Sequence, residues 1–222
     1  MNTGEKQINI RKFQAKDRME VRRLVCSTAL MGGACNQFFE GEEVFADAAS
    51  VYFTDHEPES SYVAVEDKKV VGYLLGSVNA ANMSRIFGKK LVAPLVLKAL
   101  AQGIFLKKRN IVFLGRCLSS ALKGEFYSPD FRIEYPATLH INIEEKYRGL
   151  KIGDQLIGVY LDYLRKLNAR GVHLATMSDK AGRFFVRNGF KLLFEGKRSY
   201  FRHILYKDVT LYVYGLKFTP AQ

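Results

Sequence analysis

Between Leu139 and Leu167 the chain changes hydrophobic period, and this constrains its fold more than any other feature. Leu139, Ile141 and Ile143 alternate with His140 and Asn142, the period-two pattern of a strand. Leu156, Tyr160, Tyr163, Leu164 and Leu167 then recur at helical spacing. Only the short basic loop EEKYRGLKIG separates the two patterns, with glycines at 149 and 153. A strand that runs through a tight loop into an amphipathic helix calls for a sheet with helices packed on it, an α/β arrangement.

The flanking segments extend that pattern. INIRKF at 8–13 alternates as a first strand, and KDRMEVRRLVCSTAL follows with helical spacing and Asp17 placed to cap. The acidic, aromatic stretch FFEGEEVFADAASVYFTDH reads as helix until Pro58 breaks it, and SYVAVEDKKVVGYLLGSVN reads as a hairpin turning at residues 66–69. YPATLHINI is a strand, the helix at 153–171 is expected to stop at Gly171, and VHLATM is the next strand. DKAGRFFVRNG reads as a short helix, and FKLLFEG and DVTLYVYGLKF as the last strands. Residues 79–135 exceed any ordinary connection and contain LVAPLVLKALAQGIFL, so a helical insertion is expected there, kinked or divided at Pro94 and Gly103. The expected organisation is a single domain over 1–222 with that insertion between the third and fourth strands.

Charge is distributed unevenly. Residues 1–78 carry 9 basic and 12 acidic groups, 79–135 carry 10 and 3, and 136–222 carry 15 and 7, giving a net charge of +12. A basic later half points to an anionic partner, but no nucleic-acid reader motif is present. Cys26, Cys35 and Cys117 form no CxxC pair, and His56, His140, His173 and His203 show no ligand spacing, so neither a disulfide framework nor a metal is implied. There is no apolar run of signal-peptide length near Met1 and no window of about 18 apolar residues. A cytoplasmic protein is the expectation.

A strand feeding a tight loop and a helix aims backbone N–H groups and the positive end of the helix dipole at one spot, which suits phosphate. Gly149 and Gly153 would let a diphosphate approach the backbone, Arg148 would add a forked donor, and Lys151 a point charge. The order of elements, the loop Arg148-Gly149-Leu150-Lys151-Ile152-Gly153 and the helix ending in RNGF resemble the GNAT superfamily of acetyl-CoA-dependent N-acyltransferases, whose loop reads Q/R-x-x-G-x-G/A. YPATLHINIEEKYRG also resembles an acetyltransferase-like domain appended to some glycosidases. The resemblance covers most of the chain and implies a GNAT-like central mixed, mostly antiparallel sheet flanked by helices.

It also implies acetyl-CoA, or a related acyl-CoA, as cofactor. Residues Ile141, Asn142 and Ile143 would line the pantetheine, and Arg148, Gly149, Leu150, Lys151, Ile152, Gly153 and Asp154 would hold the diphosphate. Three positions depart from the family pattern. Lys151 replaces a usual glycine, so the loop must tolerate a Cβ there; Ser178 replaces an asparagine that contacts the cofactor; Phe185 replaces a tyrosine beside the leaving sulfur and cannot donate a proton.

The implied activity is acyl transfer to an amine by direct attack in a ternary complex. The family's fourth strand carries a bulge whose free N–H polarises the carbonyl, an interaction worth about 3 kcal/mol. His140 is the first candidate base and Glu134 the next, with Tyr200 or Tyr206 as substitute acids. The acidic stretch with Glu40, Glu42, Glu43 and Asp47 would attract a cationic amine. For residues 79–135 three roles are open: a pocket wall, which is preferred, a subunit interface, or contact with anionic lipid. The acceptor would be a small-molecule or peptide amine. The alternative is a catalytically weak or inactive GNAT-like module that binds acyl-CoA or a protein partner.

Overall fold

The computed structural model describes residues 8–218. A seven-stranded sheet in the order β1-β2-β3-β4-β5-β7-β6 runs through the molecule. Its strands are β1 (Asn9–Lys12), β2 (Tyr62–Glu66), β3 (Lys69–Ser77), β4 (Ala137–Ile143), β5 (Gly171–Thr176), β6 (Lys191–Arg198) and β7 (Val209–Lys217). Every neighbouring pair is antiparallel except β4 and β5. The expected mixed, mostly antiparallel sheet is therefore present. The β2–β3 hairpin closes through Asp67 and Lys68, both at positive φ (44° and 71°), a backbone twist that matches the twist of paired strands.

Helices cover both faces. On one, α1 (Arg18–Ser27) and α2 (Glu42–Val51) cap a cluster of Val21, Leu24, Val25, Val63, Tyr73 and Leu75. On the other, α6 (Ile152–Lys166) and α7 (Asp179–Arg187) close the main core with Leu156, Tyr160, Leu164, Val172, Phe185 and Phe190. Between β3 and β4 lies the expected helical insertion: α3 (Ala80–Ile86), α4 (Val92–Ala101) and α5 (Lys108–Leu122). Pro94 sits in the first turn of α4, directly after a wider π-type turn at Phe87–Leu91 that joins α3 to α4, and Gly103, at φ 61°, follows the end of that helix. A short α8 (Arg202–Leu205), which periodicity does not signal, joins β6 to β7.

Several local expectations are corrected. Asp17 precedes α1 but makes no side-chain cap to it; its carboxylate accepts two bonds from Arg11 (2.6 and 2.7 Å) and one from the Gln14 N–H (2.9 Å). Gly171 does not stop α6. The helix ends at Lys166, Asn168 takes the left-handed turn at φ 54°, and Gly171 opens β5, where a Cβ would lie 2.8 Å from the Leu216 carbonyl. Leu167, expected on the buried face, is half exposed past the helix end. The three cysteines are free, and the Cys26 thiol donates to the Glu42 carbonyl (3.3 Å).

Candidate active site

The site begins with a gap in the sheet. β4 pairs with β3 from Ser77↔Thr138 to Gly72↔Ile143, all of the strand but Ala137. It pairs with β5 only at Ala137↔Val172 and Thr138↔His173. Beyond Thr138 the two strands part, so residues 139–143 present an unpaired backbone edge toward β5. Such an edge needs a partner, since peptide groups left bare in a crevice are costly. The register of β3 against β4 is continuous, so the expected bulge in the fourth strand is absent. The free backbone comes from divergence of β5 instead.

At the open end of the gap, the chain turns through the loop into α6. Lys151 is the N-cap residue in left-handed geometry (φ 59°, ψ 13°), so the loop does accept a Cβ at the position where the family has glycine. Gly149, at φ 90°, has open space where its side chain would be. The N–H groups of residues 149–154 have no backbone acceptor, and no side chain caps the helix. Six consecutive donors are therefore left without a backbone acceptor at the positive end of the α6 dipole. Lys151 is exposed and, among the described residues, unpaired, so its ammonium is available to an anion.

Not every residue of the predicted diphosphate set turns toward that spot. The Arg148 Nε donates to the Ile143 carbonyl (3.2 Å), and its guanidinium lies over Gly32 in the loop after α1. Gly153 is needed for packing: a Cβ would come within 2.9 Å of the Phe184 ring and 3.3 Å of Ile143. Ile152 is fully buried in the core, whereas Leu150 is exposed. Asp154 accepts from Asn188 Nδ2 (2.9 Å) and lies 3.7 Å from Arg187, tying α6 to the end of α7. Ser178 caps α7 by accepting the Ala181 N–H (3.3 Å). Phe185 is buried among Phe184, Phe190 and Tyr214.

The side chains on the α1 face of β4 form a polar cluster. Asn142 Nδ2 donates to the Tyr73 hydroxyl oxygen (2.9 Å) and lies 3.2 Å from His140 Nε2, while His140 Nδ1 lies 3.5 Å from the same tyrosine oxygen. This tautomer holds the proton on Nδ1 and leaves Nε2 as the acceptor. The ring is open to water on one side and enclosed by protein on the others, and that desolvation draws its pKa below the usual histidine value. Tyr73 is fully buried and its pKa is raised by desolvation. Tyr73 carries no signal of this role in the sequence. It comes opposite Asn142 through strand register, which no local pattern in the sequence encodes.

Glu134 is not brought to this cluster. It lies before the paired end of β4, exposed, with its carboxylate 2.5 Å from Lys217. Tyr206 is on the surface, but Tyr200 is buried with its hydroxyl against the Met177 sulfur (3.7 Å), just beyond the end of β5. Burial pushes its pKa up to about 12. The acidic stretch is largely self-neutralised: the buried Arg22 guanidinium bonds both Glu43 and Asp47, Lys98 of the insertion bonds Asp47 (2.5 Å), and Arg109 lies 3.7 Å from Glu40. The inward face of α5 joins the same wall, with Phe113 stacked on Phe201, tilted against Phe38 and edge-on to Tyr200.

No family model matches the sequence, and no curated protein does. Solved structures do match in shape. SsHAT superposes with a TM-score of 0.70 at 21% identity, over 95% of this chain and 98% of that one. The polyamine N-acetyltransferase of Drosophila melanogaster, an enzyme that forms N-acetylagmatine, gives 0.58 at 13% identity over 96% and 100%. YncA of Salmonella typhimurium, a putative acetyltransferase solved with acetyl-CoA, gives 0.59 at 11% over 96% and 95%. The chain has the GNAT acetyltransferase fold.

Proposed function

We propose that the protein transfers an acetyl or related acyl group from acyl-CoA to an amine by direct attack in a ternary complex. The observation that carries this reading is the unpaired edge of β4 at 139–143 running up to six unpartnered N–H groups at 149–154. An extended amide-bearing arm can pair with the first, and a diphosphate with the second. Bound there, acyl-CoA would supply an activated thioester carbonyl. The superposition on acetyltransferases, one solved with acetyl-CoA and one named for polyamine substrates, supports both halves of the reading.

In this reading His140 is the proton acceptor, and its environment fixes when it acts. An alkylammonium has a pKa near 10.4, while this imidazole sits below about 6.5, so direct proton removal from the cation is uphill by roughly 5 kcal/mol or more. The acceptor therefore enters as its neutral fraction, having lost its first proton to solvent. Once nitrogen bonds carbon, its remaining protons become acidic, and Nε2 takes one. The Asn142 amide now bonds Nε2, so taking that proton requires the amide to turn its N–H aside while it keeps its bond to the Tyr73 oxygen. Tyr200, held protonated by burial, is the acid that Phe185 cannot be.

Calorimetric titration with acetyl-CoA, followed by an amine panel read by thiol release, tests the proposal in two stages. Binding with turnover of at least one amine is the expected result. Binding without turnover would leave the non-catalytic acyl-CoA module standing, and absence of binding would overturn both.

A further inference from the structure

The insertion carries an apolar surface that neither the core nor the cleft uses. α4 packs inward through Leu91, Leu95 and Ala99, with Lys98 reaching Asp47. Its opposite face, Val92, Ala93, Val96, Leu97, Leu100 and Ala101, is exposed and has no polar residue. The surface continues to Leu106, 83% exposed, in the turn after the helix. α5 repeats the arrangement: Asn110, Phe113, Cys117 and Ser120 face inward, while Ile111, Leu114, Leu118 and Leu122 form an exposed stripe, Leu122 at 82%. Both helices pack inward on the segment around residues 38–47, so both stripes face away from the sheet.

Charge identifies the partner. From Lys68 to Gly124 the chain contains no aspartate or glutamate. Lys89 and Lys90 precede α4, and Lys107 and Lys108 follow Leu106, so the apolar face is bracketed by cations. None of these four has a carboxylate partner among the described residues, unlike Lys98, which pairs with Asp47, and Arg109, which lies near Glu40. A second copy on this face would bring like charges together. A surface of apolar chains beneath anionic headgroups meets both demands, with leucines entering the acyl boundary and lysines extending to phosphate. Among the described residues no helix is long and apolar enough to cross a membrane, so the contact is with the surface.

We infer that the outward face of α4 through Leu106, with its bracketing lysines, docks the protein on an anionic lipid bilayer. Docking does not depend on acyl transfer, so its test stands apart from that of the cleft. Sedimentation with phosphatidylcholine vesicles, with and without phosphatidylserine, reads it directly. Binding is expected only with phosphatidylserine, and loss is expected near 1 M salt, where the screening length is about 3 Å. Replacing Lys89, Lys90, Lys107 and Lys108 by alanine should weaken partitioning about fivefold per residue. Leu97→Asp with Leu106→Asp should abolish it while leaving circular dichroism unchanged, because neither side chain is buried. No binding, or equal binding to neutral vesicles, overturns the inference. So does a concentration-dependent dimer that Leu97→Asp dissolves, since the face would then be covered by a second copy.

Discussion

The two flanks of β4 are built by different means. On the α6 side the cleft is made of backbone: an unpaired strand edge, six N–H groups and a loop that turns through Gly149 and Lys151 at positive φ. On the α1 side it is made of side chains locked to one another, with Tyr73, His140 and Asn142 in one cluster and Arg22, Glu43, Asp47 and Lys98 in another. A backbone-built site should tolerate side-chain truncation and resist added bulk. A side-chain-built one should do the reverse, and substitutions on each flank can break this distinction.

The largest effect is expected at Arg22→Ala. Its guanidinium is buried between Glu43 and Asp47, and removal strands carboxylates with only Lys98 nearby. Loss of one partner from a buried pair costs about 3–5 kcal/mol; the lower end applies here because Glu43 is largely exposed. Urea denaturation should show a lower midpoint with an unchanged slope. A shift under 1 kcal/mol would mean that this wall is not held by its charges.

His140→Gln is expected to reduce turnover by about 10²-fold or more while leaving acetyl-CoA affinity within a few-fold. The pH dependence carries its own sign. Because the folded imidazole has a depressed pKa, it stays neutral below 6.5, and the acid limb of activity should lie beneath that value. For stability, the unfolded chain takes up this proton first, so stability is full above 6.5 and falls as pH drops from there toward the lower folded value. Activity should rise further with pH as the neutral fraction of the amine grows toward its own pKa near 10.4, so the limb that would remove His140 from the reaction is a second one, distinct from the amine's, at or above 6.5.

The sequence makes the backbone flank legible and leaves the side-chain flank obscure, for a physical reason. Periodicity and loop glycines are local, so β4, the loop and α6 can be read from contiguous residues. The pairing of Tyr73 with Asn142 depends on a register set across the whole insertion, and the capture of Asp47 by Lys98 depends on how α4 lands on α2. Local reading also misassigns single residues whose role is tertiary. Gly171 looks like a helix stop but makes room for the Leu216 carbonyl, and Gly153, which reads as a phosphate glycine, also has to make room for Phe184. Arg148 looks like a phosphate ligand, yet its guanidinium is turned onto Gly32 and Ile143.

Gly153→Ala is the complementary test of the backbone flank. The new methyl would meet the Phe184 ring at 2.9 Å, and the ring has Phe185 behind it. Overpacking of this kind costs about 1–3 kcal/mol and pushes α7 away from the first turn of α6. The expected result is a lower denaturation midpoint together with weaker acetyl-CoA binding, because the donors at 149–154 move with that turn. Stability loss with unaltered binding would separate the packing from the donors.

The smallest effects separate the two cations of the loop. Arg148→Ala removes a guanidinium that is exposed and already bonded to the Ile143 carbonyl, so acetyl-CoA affinity should change less than about threefold, near the lower end for one hydrogen bond. Lys151→Ala removes an unpaired ammonium beside the helix start, where one exposed charge is worth up to about 1 kcal/mol, and affinity should fall about fivefold at low salt. That difference should vanish as ionic strength rises, since an exposed charge is screened and a backbone donor is much less so. If Arg148→Ala proves the more damaging, the guanidinium must swing from Gly32 to the diphosphate on binding, and the cofactor flank would depend on a side chain after all.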